Sequence, residues 1–388
     1  MNKKKVLFLL GDIWSIDKNK GMPSVYKILE AGQEVFDTTI FTTDKHRYDE
    51  ELTKSSIYYF KKINTLIFTN RYLSYFFRRI DNLLLNIKYI YKFIKLKEKF
   101  DLIYCSSSIP IYATYFIKKF YKVKIIHRIY GTFLYPNLGS KLDALKKFEE
   151  VLSFKLQADK YIITDDGTLG DKVAKYYGID KNKIAFLRNG VNKIKVDKKK
   201  IIEKFKIEDN KFYCVCVSRL TGWKRVDRII SAFNKIDNDD MVLFVVGEGD
   251  ETKNLKAMSK NKNIIFLGSL SAYEVHGLMQ VCDLFISMYD ISNVGNPLLE
   301  ALSYNIPIIT YNSGNTKEVI SGENGVLIKE IEEDKIANEL YLTIMKLYQN
   351  DDLKGQLQQG AKKYSDENIY TWDKRIETEL NIMNKIMG

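Results

Sequence analysis

Two cations, Arg219 and Lys224, stand close together in the stretch Cys216-Val217-Ser218-Arg219-Leu220-Thr221-Gly222-Trp223-Lys224. The preceding residues, Phe212 to Val217, read as an apolar strand, and the following ones, Val226 to Phe233, have the spacing of an amphipathic helix. Both cations therefore fall at a strand's C-terminal end, where an open α/β sheet binds its ligands. A guanidinium and an ammonium converging there suit two adjacent phosphates, each charged contact contributing about 1.5 to 3 kcal/mol. A solvated surface turn explains the pair equally well, so these two residues alone do not decide. Further on, Gly295-Asn296-Pro297-Leu298-Leu299-Glu300 supplies a helix start, whose free backbone N–H groups favour anions, and a carboxylate beside it.

The elements that must position these groups follow in regular order. Met241 to Gly249 is a buried strand ending in a glycine turn, Asn263 to Gly268 a second, Cys282 to Ser287 a third and Pro307 to Tyr311 a fourth. Helical stretches, notably Ala272 to Val281 and Pro297 to Tyr304, separate them, and this alternation specifies a parallel, doubly wound α/β domain. The N-terminal half opens in the same way, with a strand from Lys5 to Leu10 and a long loop from Gly11 to Gly21. A helix then starts at Pro23, which suits a first turn, and ends near Gly32. His127 follows the strand Val123 to Ile126 and precedes Arg128-Ile129-Tyr130-Gly131, which places it at a C-terminal strand end; a structural histidine at a domain edge is the alternative.

In this order of motifs the chain resembles the glycosyltransferases of GT-B architecture, in the large retaining family of the family four, or group 1, type. The likeness is collinear over nearly the whole chain. Ser218-Arg219-Leu220 leading to Lys224-Arg225 is similar to the family's Gly-Arg-Leu leading to Lys-Gly, with Ser218 and Arg225 in place of the two glycines. Phe186-Leu187-Arg188-Asn189-Gly190-Val191-Asn192 resembles its Pro-Asn-Gly-Val-Asp linker. Ser313-Gly314-Asn315-Thr316-Lys317-Glu318 and Glu323-Asn324-Gly325-Val326-Leu327 resemble its closing segment. The resemblance implies two Rossmann-like doubly wound domains facing across a cleft: residues 1–192 binding the acceptor, residues 193–369 binding the donor, and a last helix, 370–388, crossing back to complete the first.

It implies transfer of a sugar from a nucleotide diphosphate sugar to an acceptor hydroxyl, with retention, in surface polysaccharide or glycan biosynthesis. The nucleotide sugar is the co-substrate, and neither a metal nor a further cofactor is expected. Under the resemblance Arg219 and Lys224 neutralise the leaving diphosphate, the helix start at Pro297-Leu298-Leu299 adds backbone donors, Gly295 lets the backbone come close to the sugar, and Asn296 belongs to the same donor site. Glu300 accepts from the ribose hydroxyls, and Gly247, Glu248 and Ser269 line the base pocket. Gly21 and Met22 stand where the family has a glycine pair, and His127 where it has a histidine near the sugar. One departure matters more than the matches. The family carries two glutamates here, separated by seven residues; Glu300 fits the second, but Ser292 occupies the place of the first. Asp290, Ser292 and Asn293 are then the residues left to meet the sugar. An uncharged Ser or Asn can hydrogen-bond a hydroxyl but cannot stabilise developing positive charge as a carboxylate does. That gap leaves two rivals open: a catalytically silent nucleotide-sugar-binding protein, and an epimerase or hydrolase of the same architecture.

Composition agrees with this plan. A chain of 388 residues exceeds what one core usually supports, and 45% hydrophobic residues suffice for two. The apolar run from Val6 to Leu10 is too short for a secretory signal, and no run of about 20 apolar residues reads as a membrane span. The expected location is cytoplasmic, or peripheral at the inner face of the membrane. Cys105, Cys214, Cys216 and Cys282 lie in or beside apolar strands and read as buried free thiols. Asp237-Asn238-Asp239-Asp240 precedes a strand, at the end of the sheet away from the ligand side, and reads as a turn rather than a metal site. Asp165-Asp166-Gly167 reads as the cap of a helix beginning near Thr168.

Charge is unevenly spread. Residues 1–190 hold 34 Lys+Arg and 20 Asp+Glu, a balance of +14, while the rest hold 27 and 29, a balance of −2. Between Lys54 and Phe100 eleven basic residues face two acidic ones, with Tyr58, Tyr59, Phe60, Tyr72, Tyr75, Phe76 and Phe77 interleaved. Lys88, Lys92, Lys95 and Lys99 recur at helical spacing opposite an apolar set that includes Leu83, Ile87, Ile90 and Ile94. A solvated face explains the lysines. An anionic membrane surface explains lysines and aromatics together, at about 1 kcal/mol per cation near the headgroups, and is preferred for meeting a glycan or lipid-linked acceptor. No nucleic-acid motif accompanies the charge.

Overall fold

Alternating strands and helices build two parallel sheets, one in each of two units. The computed structural model describes residues 3–11, 23–43, 52–61 and 71–388, side chains of residues 71–76 excepted. The first unit comprises Met1–Asp165, Leu169–Arg188 and Trp372–Gly388. Its strands are β1 (Lys5–Leu10), β2 (Asp37–Thr42), β3 (Ser56–Tyr59), β4 (Leu102–Ser106), β5 (Lys124–Ile129), β6 (Lys160–Thr164) and β7 (Ile184–Leu187). They pair in the order β3-β2-β1-β4-β5-β6-β7, all parallel. A parallel sheet is covered on both faces, which is why its strands are apolar at successive positions rather than alternate ones. Leu7, Leu9, Ile103 and Ile125 enter one core, and Val6, Phe8, Leu102 and Ile126 the other.

The helix Trp372–Met387 belongs to this first unit although it comes last in the chain, and it inserts Ile376 and Met383 into the second of those cores. It also carries Glu379, 1% exposed, into a buried polar cluster. The Glu379 carboxylate accepts hydrogen bonds from Tyr104 Oη and, at 2.5 Å, from Arg375 Nη1, with Arg128 Nε 3.9 Å away. Arg128 Nη1 donates onward to the carbonyls of Ile129 (2.8 Å) and Ile162 (3.2 Å), and Arg375 Nε to that of Arg188 (3.0 Å). Burial alone acts to raise the Glu379 carboxyl, but the two guanidiniums and the phenol outweigh it and hold it below its ordinary value.

The helix Arg71–Leu96 buries Leu85, Tyr89 and Phe93, one residue per turn, and anchors itself through polar groups. Tyr89 Oη donates to Leu10 O at 2.7 Å, and Asn86 bridges Ile109 O and Ala113 N at 2.8 Å each. The apolar set opposite the lysines therefore divides, with only Ile90 packed against the core. Leu83, Ile87 and Ile94 are exposed at 47%, 52% and 48%, together with Tyr91 at 65%. The helix carries two apolar stripes, and the one holding the larger rings and the hydrogen-bonding asparagine is the one that packs. Tyr58 and Phe60, expected as surface aromatics, instead lie against Phe41 and, for Phe60, Tyr89, at ring separations of 4.7 to 5.7 Å. The side chains of Tyr72, Tyr75 and Phe76 lie outside the described residues.

The second unit comprises Asp166–Thr168 and Asn189–Thr371. Its strands are β8 (Phe212–Val217), β9 (Met241–Val246), β10 (Ile264–Gly268), β11 (Leu284–Ser287), β12 (Ile308–Tyr311) and β13 (Val326–Ile328). The order is β10-β9-β8-β11-β12-β13, again all parallel, so successive strands run outward one way from β8 and then the other way from β11. A crevice for ligand opens at such a reversal, outside the carboxyl ends of β8 and β11. All four cysteines are buried and unpaired. Burial pushes the Cys105 and Cys216 thiols up to about 12, which removes them as nucleophiles. The turn at Asp237–Asp240 lies at the opposite end of the sheet, where Asp239 pairs with Lys262 at 2.9 Å. Among the described residues no cluster of His, Cys, Asp and Glu is arranged to hold a metal ion.

Candidate active site

The loops leaving β8, β9 and β10 are laddered backbone to backbone. Ser218 N donates to Val246 O, Leu220 N to Glu248 O and Gly247 N to Gly268 O, at 2.8 to 3.0 Å. This stacking requires glycine at Gly247, whose φ is +121° and whose Cβ would lie 1.9 Å from Ser218 O. Glu248 and Ser269 are left exposed at the ends of β9 and β10, on the same edge as Arg219.

Across the switch point, the loop after β11 locks onto the loop after β8. Asp290 N donates to Trp223 O at 3.0 Å, and Tyr289 Oη donates to Val217 O at 2.8 Å. The Lys224 ammonium is held between them, 3.6 Å from the centre of the Tyr289 ring and 4.2 Å from that of Trp223. Burial is the main cause that lowers Lys224 to about 7; the positive charge of Arg219 adds to the lowering, while Asp166 opposes it. Arg219 and Lys224 thus share one local field. Arg219 itself is exposed and makes no ion pair with the described residues. Two neighbouring cations without a balancing ion pair, at the mouth of a switch-point crevice, form a site for a multiply charged anion.

The residue after Lys224 explains one departure from the family pattern. Arg225 has a left-handed backbone, φ 49°, which favours glycine. Its guanidinium compensates by pairing with Asp227 at 2.8 Å, with Asp290 at 3.4 Å and with Glu333. Arg228 joins the same network, 2.8 Å from Asp290 and 2.7 Å from Glu333.

On the far wall the helix Asn296–Ser303 begins at Gly295. Pro297 has no N–H and Leu299 N donates to Gly295 O at 3.2 Å, leaving the amides of Asn296 and Leu298 at the helix start. The side chains of Leu298 and Leu299 are buried, and Asn296 Oδ1 accepts from Asn189 Nδ2 at 2.8 Å, so these residues face the crevice only through backbone. A Cβ on Gly295 would sit 3.5 Å from Ser292 O, an ordinary contact, so packing does not demand glycine there. Glu300 is pushed up to about 7 by burial, and its Oε1 lies 4.0 Å from His276 Nε2.

Several expected residues have other partners. Asp290 is spent on Arg225 and Arg228, which turns its carboxylate toward the ion-pair network. Asn293 is fully buried and donates to Tyr311 O at 2.6 Å, a structural tie between β11 and β12. Ser292 has a left-handed backbone, φ 59°, and its Oγ donates to Asp166 Oδ2 at 2.9 Å. His127 is corrected: β5 continues to Ile129, so His127 lies inside the strand, fully buried, with Nδ1 3.2 Å from Cys105 O. Burial lowers its imidazole to about 4, which leaves it neutral. The first residue beyond the strand is Tyr130, whose hydroxyl meets Ser106 Oγ at 2.8 Å and whose ring lies 4.3 Å from the Arg128 guanidinium. Gly21 and Met22 lie outside the described residues. Sequence reasoning missed Trp223, Tyr289 and Asp166. An aromatic beside a cation at a strand end is a weak signal, and for Asp166 the only hint was an acidic pair before a glycine. Asp166 does not cap a helix; it accepts from Thr168 N and Oγ1, and the helix starts later, at Gly170.

Two doubly wound parallel units, one with a cationic switch-point crevice, define a glycosyltransferase of the GT-B kind. Residues 197–364 match the family model described as glycosyl transferases group 1, and residues 30–193 that of glycosyltransferase family 4; the chain belongs to this family. An uncharacterized glycosyltransferase of Methanocaldococcus jannaschii is 27% identical over 284 residues, covering 70% of each chain. A GDP-mannose-dependent mannosyltransferase of Corynebacterium glutamicum, named for a monoacylated phosphatidylinositol monomannoside, is 24% identical over 48% of this chain, which spans 51% of it. The Anabaena protein HepE, solved with UDP and glucose, shares the fold with a TM-score of 0.74 at 16% identity, over 98% of this chain and 99% of its own.

Proposed function

We propose that the second unit binds the donor in the switch-point crevice and that the sugar passes to an acceptor hydroxyl with retention of configuration. The observation that carries this is the pair Arg219 and Lys224 in the loop after β8 at the switch point, with Arg219 exposed and the Lys224 ammonium held by the rings of Trp223 and Tyr289. Arg219 and Lys224 neutralise the charge that grows on the leaving diphosphate, and the Asn296 and Leu298 amides add donors to it. Glu300 takes the ribose hydroxyls, and the edge formed by Gly247, Glu248 and Ser269 takes the base. Incubation with a panel of nucleotide sugars and a membrane lipid extract, following nucleotide release, tests the reading; no release from any donor overturns it. A specific observation favours the rival of a silent binder, since neither Asp290 nor Asn293 is free to meet the sugar. Donor binding without turnover supports that rival.

Measured above the raised Glu300 value of about 7, Glu300→Gln removes the anionic acceptor while keeping the shape. Loss of one charge-assisted hydrogen bond, about 1.5 to 3 kcal/mol, raises the donor KM by roughly ten- to hundredfold with kcat little changed. An unchanged KM removes Glu300 from the ribose site.

The acceptor is lipid-linked in this reading, and the first unit meets an anionic membrane surface at its cytoplasmic face. Support comes from the exposed stripe of Leu83, Ile87, Tyr91 and Ile94, flanked by Lys88 and Lys95 on the same helix. Arg79 ties this helix to Glu149 at 3.7 Å and to Leu145 O, next to exposed Leu142, Leu145 and Phe148. Apolar groups ringed by cations are what a headgroup interface takes up. Among the described residues no helix is long and apolar enough to cross a membrane. Sedimentation with vesicles containing anionic lipid at low salt pellets the protein, and Ile87→Glu with Tyr91→Glu returns it to the supernatant. Wild-type protein that stays wholly in the supernatant overturns the membrane reading.

A further inference from the structure

Asp166, Gly167 and Thr168 follow a strand of the first unit but pack with the second. The segment is clamped there by close backbone approach. Val294 N donates to Asp166 O at 3.1 Å. Gly167, φ +93°, places its missing Cβ 3.0 Å from Asn293 N, and Gly314, φ +58°, places its own 2.0 Å from Gly167 O, so both positions need glycine. The product of this clamp is the position of one carboxylate. Asp166 Oδ1 accepts from Thr168 N at 3.1 Å and Thr168 Oγ1 at 2.6 Å, and Oδ2 accepts from Ser292 Oγ at 2.9 Å. A carboxylate offers roughly four acceptor positions, and the three donors leave one on Oδ2. The side chain stays half-buried, and its charge is felt by Lys224.

We propose that Asp166 is the sugar-facing carboxylate of the donor site: Ser292 orients it, and its remaining acceptor position takes a hydroxyl of the transferred sugar. The inference rests on the donor-site reading above. A carboxylate whose charge reaches Lys224 repels phosphate but accepts from a neutral polyol, so its partner is the moiety attached to the diphosphate rather than the diphosphate itself. Ser292, which carries no charge, then contributes through Asp166.

The test compares affinities by calorimetry for UDP-glucose, GDP-mannose and ADP-glucose with those for UDP, GDP and ADP, in wild type and Asp166→Asn. The sugar nucleotide that wild type prefers loses roughly ten- to hundredfold in affinity, and its diphosphate less than about threefold, because only the sugar hydroxyl loses a charged acceptor. Adding Ser292→Glu to Asp166→Asn restores a carboxylate and recovers part of the sugar-dependent affinity. Where Asp166→Asn fails to fold, Ser292→Ala, which keeps the charge but frees Oδ2, shows the same asymmetric loss at smaller size. Equal loss for both ligands, or no loss for either, overturns the proposal, as does wild-type binding of none of the six. Asymmetric loss without nucleotide release by wild type overturns the transferase reading and leaves this one standing; turnover by Asp166→Asn at the wild-type rate does the reverse.

Discussion

Lys224→Ala slows nucleotide release by about a hundred- to thousandfold, the range for removing one preorganised charged donor from a developing anion. The ammonium is fixed before donor arrives, between the rings of Trp223 and Tyr289, so no reorganisation accompanies reaction. The same burial makes the site sensitive to pH. With its value lowered to about 7 in the free protein, Lys224 loses its proton as pH rises through that value, and kcat/KM for the donor falls on the alkaline side. A bound diphosphate favours the charged form, so donor binding near that pH takes up protons. Calorimetry in two buffers of different ionisation enthalpy reads this uptake directly. A binding heat independent of buffer, together with a flat profile between about pH 6 and 9, excludes Lys224 as a phosphate ligand. Lowered values also mean that the unfolded chain holds this proton more tightly than the folded one, so Lys224→Met stabilises the fold most at neutral pH and below. Lost activity with gained stability is the signature of a charge kept for function.

Glu379→Ala destabilises the first unit by about 3 to 5 kcal/mol, because Arg375 and Arg128 are left charged and buried without their carboxylate partner. For a unit of this size that lowers the midpoint of thermal unfolding by roughly 10 °C. Glu379 is 1% exposed, so solvent screening does not reduce the effect. The sign with pH follows from its depressed value. Its contribution is complete above the ordinary carboxylate range and is lost as pH falls through the folded value, so wild type and Glu379→Gln converge in stability only in acid. A midpoint shift below about 2 °C for Glu379→Ala sinks this account of how the last helix is held. Truncation before Trp372 removes the same cluster along with Ile376 and Met383, and leaves Tyr104 and Arg128 facing solvent.

Strand positions were legible from apolar runs because each strand of a covered parallel sheet must be apolar on both faces. β8 and β1 have the bounds expected, β10, β11 and β12 differ by a residue or two at the start, β9 stops at Val246 before the glycine turn, and β13 was not expected as a strand. His127 shows the limit of that reading. A polar residue after Ile125 and Ile126 looks like a strand end, yet an imidazole that donates to or accepts from a neighbouring carbonyl can be carried inside the sheet, and β5 runs on to Ile129. The helix Arg71–Leu96 shows another. Two apolar stripes of similar hydropathy fit the same periodicity, and only packing against Phe41, Phe60 and Leu10 selects the stripe of Tyr89.

The linear order of residues by itself determined the doubly wound class, the resemblance to the family, and the pair Arg219 and Lys224 as the proposed phosphate ligands, because strand periodicity and strand-end chemistry are local properties. Which carboxylate serves the sugar was not local. Asp290 and Asn293 are near Ser292 in sequence, but the fold turns them to Arg228 and to Tyr311. Asp166, 126 positions away, is brought to Ser292 by two glycines that let backbones touch. Such an approach depends on where distant turns place their carbonyls, and that is set by tertiary packing alone.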